Sequence, residues 1–199
     1  YTYINVQPGP PASFFVVEST ATAGTEFYTY EVKVPAGTRS DWGKIQVIAY
    51  LSDAYANIVP SSGVPVQLEV IEVVGSTGVV SYSSPASDST PPEPVYYAVT
   101  DSSGAVGLNP PLYYYMSHTL GDSAKVRFST STIVGTTRKI TTIGGTPYRL
   151  VALNPPVELT AGNETPYIII QRRDEFDNPT YQGDTWAQLV TNSLAKQQQ

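Results

Sequence analysis

The sequence has no cysteine among its 199 residues and a single histidine. Without cysteine the chain cannot form disulfide bonds, offer a thiol nucleophile or hold a metal through thiolates. Positive charge is also scarce, because 11 Lys and Arg stand against 17 Asp and Glu and leave a formal net charge of −6. An acidic protein repels nucleic acid, so we expect no nucleic-acid partner.

Long hydrophobic runs are missing as well. No stretch of about 18 apolar residues occurs, and Tyr1 opens a strand-like segment in place of a basic and then apolar leader. We therefore expect no membrane span, signal peptide or anchor in these residues. Only 14% of the residues are charged, while Ser, Thr, Gly, Pro and 15 Tyr dominate the polar surface. This composition is typical of extracellular β proteins and favours an extracellular, cell-surface location.

What the chain does have is a series of short runs of Val, Ile, Tyr and Thr, bounded by Gly, Pro, Asp and Ser, which predict strands. No segment has a helical period. Pairs such as Pro10-Pro11 and Pro110-Pro111 mark loops and edges, because proline cannot donate to a central ladder. We therefore expect an all-β fold of sandwich type. The predicted strands are residues 2–6, 14–17, 27–34, 44–51, 64–74, 95–99, 112–116, 125–130, 138–143, 149–153, 167–172 and 185–191.

An imperfect repeat predicts modules in series. Leu51–Asn57 (LSDAYAN) returns as Arg172–Asn178 (RRDEFDN), and residues 3–15 and 139–151 each read as a strand, a Gly/Pro turn and a strand. On this interpretation, residues 1–8 are the last strand of a preceding module, residues 10–144 form a complete module, and residues 147–199 begin a second, partial one. Extra residues at about 26–41 of the first copy suggest an inserted hairpin.

Short turn motifs recur in a fixed order within these modules, and together they resemble a known family. The motifs are Ala23-Gly24, Asp53-Ala54-Tyr55-Ala56-Asn57, Thr100-Asp101-Ser102-Ser103-Gly104, Ala161-Gly162 and Asp174-Glu175-Phe176-Asp177-Asn178-Pro179. They resemble bacterial immunoglobulin-like modules of the invasin and intimin type, which lie in tandem on surface proteins. The family usually has glycine where Ala56 and Asp177 stand. The resemblance implies tandem immunoglobulin-like β-sandwiches.

The polar residues of these motifs are predicted to serve the backbone. Asn tolerates left-handed φ, and Asp bonds neighbouring backbone amides in tight turns, so neither requires a ligand. The predicted structural turn residues are Asp53, Asn57, Asp101, Gly104, Asp174 and Asn178.

Sites for chemistry are sparse. The single histidine, His118, has no nucleophile-elbow serine in sequence, so we expect no catalytic residue and no enzyme activity. We expect no cofactor. Calcium is possible at Asp174, Glu175 and Asp177, which cluster near a predicted module end, but their spacing does not match an EF-hand loop. Asn163 lies in an Asn-Glu-Thr sequon and is a possible glycosylation site.

Two functions remain open at this stage. The first is a non-enzymatic stalk, fibre or surface-layer segment whose partners are neighbouring modules or subunits, with strand donation by Thr2–Val6 as one route to a filament. Such a segment could also carry a glycan or host-surface ligand. The alternative is a carbohydrate-binding module of a secreted polysaccharide-active enzyme, in which aromatic side chains offer flat rings for stacking on sugars. The candidates are Tyr113-Tyr114-Tyr115, of which Tyr113 and Tyr115 share one face, Tyr96-Tyr97, Trp42 and Trp186.

Overall fold

The computed structural model describes residues 7–19, 31–82, 94–154 and 168–181. Within these ranges the chain forms thirteen strands and no helix, so the all-β prediction is confirmed. No helix long and apolar enough to cross a membrane occurs in the described part. Several expectations lie outside it, namely the strand Thr2–Val6, the turns at Ala23-Gly24 and Ala161-Gly162, the sequon at Asn163 and the region of Trp186.

The first sheet is antiparallel throughout. Its strands are β1 (Ser13–Ser19), β3 (Lys44–Ser52), β5 (Val79–Ser81), β7 (Ala105–Val106) and β8 (Tyr113–Tyr115). They follow the order β1-β3-β8-β5, with β7 beside β3. Alternate residues of β3, Ile45, Val47, Ala49 and Leu51, are almost fully buried, because period-two side chains share one face of a strand.

The second sheet is mostly antiparallel and contains one parallel pair. Its strands are β2 (Glu31–Pro35), β4 (Pro65–Val74), β6 (Tyr97–Val99), β9 (Ser123–Ser129), β10 (Val134–Thr136) and β11 (Lys139–Ile143). They follow the order β2-β11-β9-β4-β6, and β10 pairs with β9. Strands β2 and β11 run parallel, with Val32 opposite Ile140.

The two sheets share one hydrophobic core, which makes the described part of residues 13–143 a β-sandwich. Phe14 of the first sheet meets Phe128 of the second with ring centroids 6.4 Å apart. Burial of such apolar side chains is the main favourable term for a fold of this kind. The core also contains Val47, Leu51, Val80 and Tyr114 from the first sheet and Val32, Val66, Leu68, Val126 and Ile140 from the second.

The expected inserted hairpin is not what the described residues form. Residues 31–35 pair with β11 of the second sheet, and a tight turn follows, closed by the bridge between Gly37 and Trp42. The extra residues of the first copy therefore add an edge strand to the sandwich. Pairing with a strand more than 100 positions away leaves no local pattern, so the sequence could not reveal it.

A further, two-stranded sheet repeats the pairing of β1 with β3 in the same register. Strands β12 (Arg149–Ala152) and β13 (Ile170–Arg173) form a separate antiparallel pair. Arg149 faces Arg173 as Ser13 faces Ser52. The amides just before the first strands, at Tyr148 and Ala12, donate to the carbonyls of Arg173 and Ser52, each at 2.8 Å. We call the described part of residues 145–181 the second unit.

The two ends of the sandwich carry different groups. The near end carries the turns that start at Asp53 and Asp101, joined by a hydrogen bond from Leu51 N to Gly104 O of 2.9 Å. The far end carries Trp42 and His118, and lies where β3 begins and β8 has ended.

Candidate functional site

Three turns of one design stand out, and we call them corners: residues 53–57, 101–105 and 174–178. In each, the first residue is an aspartate whose Oδ1 accepts the backbone amides two and four positions later. The distances are 2.9 and 2.9 Å at Asp53, 2.8 and 3.1 Å at Asp101, and 3.0 and 2.8 Å at Asp174. These bonds satisfy amides that a tight turn otherwise leaves without partners.

The first and last corners are also tied to the chain that precedes their strands. Gly9 N donates to Asp53 Oδ2 at 2.9 Å, and Gly145 N donates to Asp174 Oδ2 at 2.8 Å. An asparagine amide at the fifth position bonds the same oxygens, from Asn57 at 3.0 Å and from Asn178 at 2.9 Å. Each carboxylate therefore holds together its turn and the entry to its β-sheet.

The fourth position of every corner is left-handed. The φ angle is 63° at Ala56, 78° at Gly104 and 71° at Asp177. Glycine reaches this region without steric cost, whereas a Cβ makes it unfavourable. This is the physical reason why glycine suits the position, and Ala56 and Asp177 adopt it despite their side chains.

At two of the corners, hydrogen bonds stabilise the ionised form of the aspartate, namely Asp53 and Asp101. The Asn57 side-chain amide, followed by the Gly9 backbone amide, lowers the pKa of Asp53 from 3.8 to about 2. The side-chain hydroxyl of Ser103 lowers the pKa of Asp101. Asp53 is only 3% exposed, so its charge depends on these donors for compensation.

The corner of the second unit packs directly on the far end of the sandwich. The Phe176 ring stacks on His118 with centroids 3.9 Å apart and planes 11° apart. His118 in turn meets Trp42 edge-on at 4.3 Å. The Arg39 guanidinium lies 5.8 Å from the centre of the Phe176 ring, within cation–π range. We call this set of contacts the junction.

Hydrogen bonds fix the position of the junction. Asn178 Oδ1 accepts the Leu120 amide at 2.9 Å, and its Nδ2 donates to the His118 carbonyl at 2.7 Å. The Arg39 amide donates to the Glu175 carboxylate at 2.9 Å. Asn178 thus bonds its own corner and the sandwich at once, and it is only 7% exposed.

Glycine allows the two parts to approach closely. A Cβ added at Gly144 would lie 2.1 Å from the Pro179 carbonyl oxygen, which no side chain can occupy. A Cβ at Gly145 would lie 2.9 Å from the Gly37 carbonyl oxygen. Backbone therefore packs against backbone at the linker, and this leaves little room for the second unit to swing.

The acidic side chains of the last corner have partners among the described residues. Asp174 accepts N–H donors, and Glu175 accepts the Arg39 amide. Asp177 pairs with Arg149 at 2.6 Å and Arg173 at 2.7 Å, and the hydrogen bond from Arg149 is the main cause of its lowered pKa. The described residues contain no group of three or more potential metal ligands.

The aromatic residues considered for sugar stacking differ in accessibility. Tyr114 and Tyr115 are 2% and 1% exposed, and Tyr113 is half-buried with Lys44 above its ring. Tyr96 and Tyr97, by contrast, are 63% and 73% exposed. The alternation along β8 places Tyr113 and Tyr115 on one face, yet packing leaves only the first of them accessible.

Sequence reasoning missed the partners of the junction. From the sequence, His118 is a candidate only for catalysis and Trp42 only for sugar stacking, and no motif includes Arg39 or Leu120. One signal was available: an aromatic residue recurs at the third position of two corners, as Tyr55 and Phe176.

No protein-family model matches the chain, and comparison with curated proteins gives no significant match. The functional argument therefore depends on the geometry of the corners and the junction.

Replacing Ala56 with glycine should stabilise the sandwich. Ala56→Gly removes the cost of a left-handed alanine and should raise the free energy of unfolding by about 1 kcal/mol. Ala54→Gly is the matched control, because Ala54 lies in the same turn without positive φ, and should lower it by about 0.4–1 kcal/mol. Urea denaturation measures both. A shift in the same direction for both variants would contradict the account.

Asp53 should make the fold sensitive to acid. Since its pKa is about 2 in the fold and 3.8 ordinarily, its stabilisation is complete above about pH 4 and is lost as the pH falls toward 2. Asp53→Asn places an amide donor against the N–H groups, so it should be less stable than wild type at neutral pH, with a gap that narrows in acid. Urea midpoints across this range measure the gap.

The control for this experiment is Asp41→Asn, at an aspartate whose side chain is 74% exposed. It should change the midpoint little at any pH. A gap between Asp53→Asn and wild type that stays constant down to pH 2 would refute a role for the charge.

Proposed function

We propose that this chain is a non-enzymatic structural segment of an extracellular surface protein, a stalk or fibre in which immunoglobulin-like sandwiches stack end to end. The observation that carries the proposal is the junction. Phe176 and Asn178 join the second unit to the sandwich through a ring stack of 3.9 Å and hydrogen bonds of 2.7 and 2.9 Å.

The strand order supports an immunoglobulin-like assignment. In immunoglobulin constant-type domains one sheet has the order A-B-E-D and the other contains G-F-C. The orders β1-β3-β8-β5 and β11-β9-β4 follow the same sequence of chain positions, with β2 as an added edge strand beside β11. Strands β6, β7 and β10 are additions to this arrangement.

The junction supports a stalk because it resists bending. Interfaces between domains are usually polar and permit motion, whereas this one combines stacked rings, a buried asparagine and a linker without space for side chains. A series of units held in this way transmits force along the chain. Low charge and many Tyr, Ser and Thr residues are in keeping with an exposed extracellular position.

Two measurements test the proposal. When a single molecule of the full chain is stretched between its ends, the sandwich should unfold in a discrete event, and a featureless extension would contradict a load-bearing role. Antibodies against the chain should label intact cells that express it, and mild protease should release it from them. Labelling that requires permeabilised cells would contradict a surface location.

A second candidate, carbohydrate binding, is favoured by one observation. Tyr96 lines an open cleft of about 330 Å³ with Val70 and Pro94, and Tyr97 beside it is exposed. Exposed aromatic rings at a cleft are suited to stacking on sugars.

A glycan array tests this candidate. The variant Tyr96→Ala with Tyr97→Ala should lose any binding that wild type shows, while Tyr148→Ala, at a tyrosine 70% exposed elsewhere, should retain it. Binding that survives the double substitution, or no binding by wild type, would rule out this candidate.

A further inference from the structure

We propose that the near end of the sandwich is a docking surface for the far end of a preceding β-sandwich unit, one that carries counterparts of His118 and Leu120. This inference rests on the proposed stacking function and names its contact. It begins from a contrast: the Tyr55 ring is 87% exposed, whereas its counterpart Phe176 is half-buried against His118.

The two corners present their side chains alike. Both have the same aspartate hydrogen bonds, both are tied to a preceding glycine, and both have a left-handed fourth residue, at φ 63° and 71°. The backbones therefore match. The side chains of Tyr55 and Asn57 project from the first corner in the same directions as those of Phe176 and Asn178 project from the last.

The groups that Asn178 uses at the junction are available at Asn57. Its amide donates to Asp53, as that of Asn178 does to Asp174, but the Asn57 side chain is exposed. Among the described residues no hydrogen bond to the Asn57 side-chain oxygen is present. Ile58, the counterpart of Pro179, adds an apolar side chain that is 45% exposed.

The required chemistry identifies the occupant. It must offer a flat ring for Tyr55, a backbone N–H for the oxygen of Asn57 and a carbonyl for its amide. At the far end of this sandwich, His118 and Leu120 supply all three. Ala54 stands where Glu175 accepts the Arg39 amide, so the contact at Tyr55 lacks that one hydrogen bond.

The first experiment transplants the near-end corner into the known junction of the full chain. Glu175→Ala, Phe176→Tyr and Asp177→Ala together give the last corner the sequence of residues 53–57. Hydrogen exchange of the Leu120 amide, followed by NMR, reports whether Asn178 still bonds it. We expect exchange within about threefold of wild type for this triple variant, and about tenfold faster exchange for Phe176→Ala.

Asp177→Ala alone is the matched control for the ion pairs with Arg149 and Arg173 that the triple variant also loses. If the triple variant exchanges as fast as Phe176→Ala while Asp177→Ala behaves as wild type, the near-end corner cannot dock and the inference is overturned.

The second experiment builds the proposed contact. Residues 1–144 are joined to residues 9–199, since Gly9 is the counterpart of Gly145, and only the first segment carries ¹⁵N. Its Leu120 amide should exchange about tenfold more slowly than in the same chain with Tyr55→Ala in the second segment. Tyr55→Phe, which keeps the ring, should preserve the slow exchange.

The outcomes separate the two proposals. One outcome is that the Leu120 amide of the first segment exchanges rapidly, while a sample labelled in the second segment shows that the Leu120 amide of the native junction is still protected. This outcome overturns the docking surface and leaves the stacking function intact. Rapid exchange at both positions contradicts the stacking function as well.

Discussion

A buried carboxylate that gathers N–H groups is the interaction on which the architecture depends. Asp174 is fully buried and accepts hydrogen bonds from its own turn, from Asn178 and from Gly145. A buried charge is tolerated only when such donors replace water, so the turn, the strand entry and the asparagine must form together. Asp53 repeats the arrangement at the near end. The corner is thus a rigid base that aims an aromatic ring and an amide outward.

The two copies of the corner differ in what meets them. Phe176 and Asn178 are packed on the sandwich, whereas Tyr55 and Asn57 are exposed. The last corner therefore does two things: its hydrogen bonds hold its own β-sheet, and its Phe176 ring packs on His118 of the sandwich. We propose that the first corner makes the same kind of contact through Tyr55.

The all-β fold was predictable where strands are long and alternate. Strands β3, β4 and β9 lie close to their predicted bounds because period-two burial of Val, Ile, Leu and Phe marks them. The short strands β5, β7 and β10 were missed, since two or three residues carry no period. The parallel pairing of β2 with β11 was missed too, because partners so distant in the chain leave no local signal.

The sequence by itself determined the corners: an aspartate accepts the amides two and four positions later, and in the first and last corners an asparagine at the fifth position adds a side-chain hydrogen bond. Only the tertiary structure decided what the corners do. Phe176 contacts His118 although the two parts of the chain lie about 60 residues apart and belong to different sheets. The linker at Gly144 and Gly145, which has no room for side chains, holds these parts together. The hydrogen bonds within a turn depend on residues close together in the sequence, whereas a contact between units depends on how the whole chain folds.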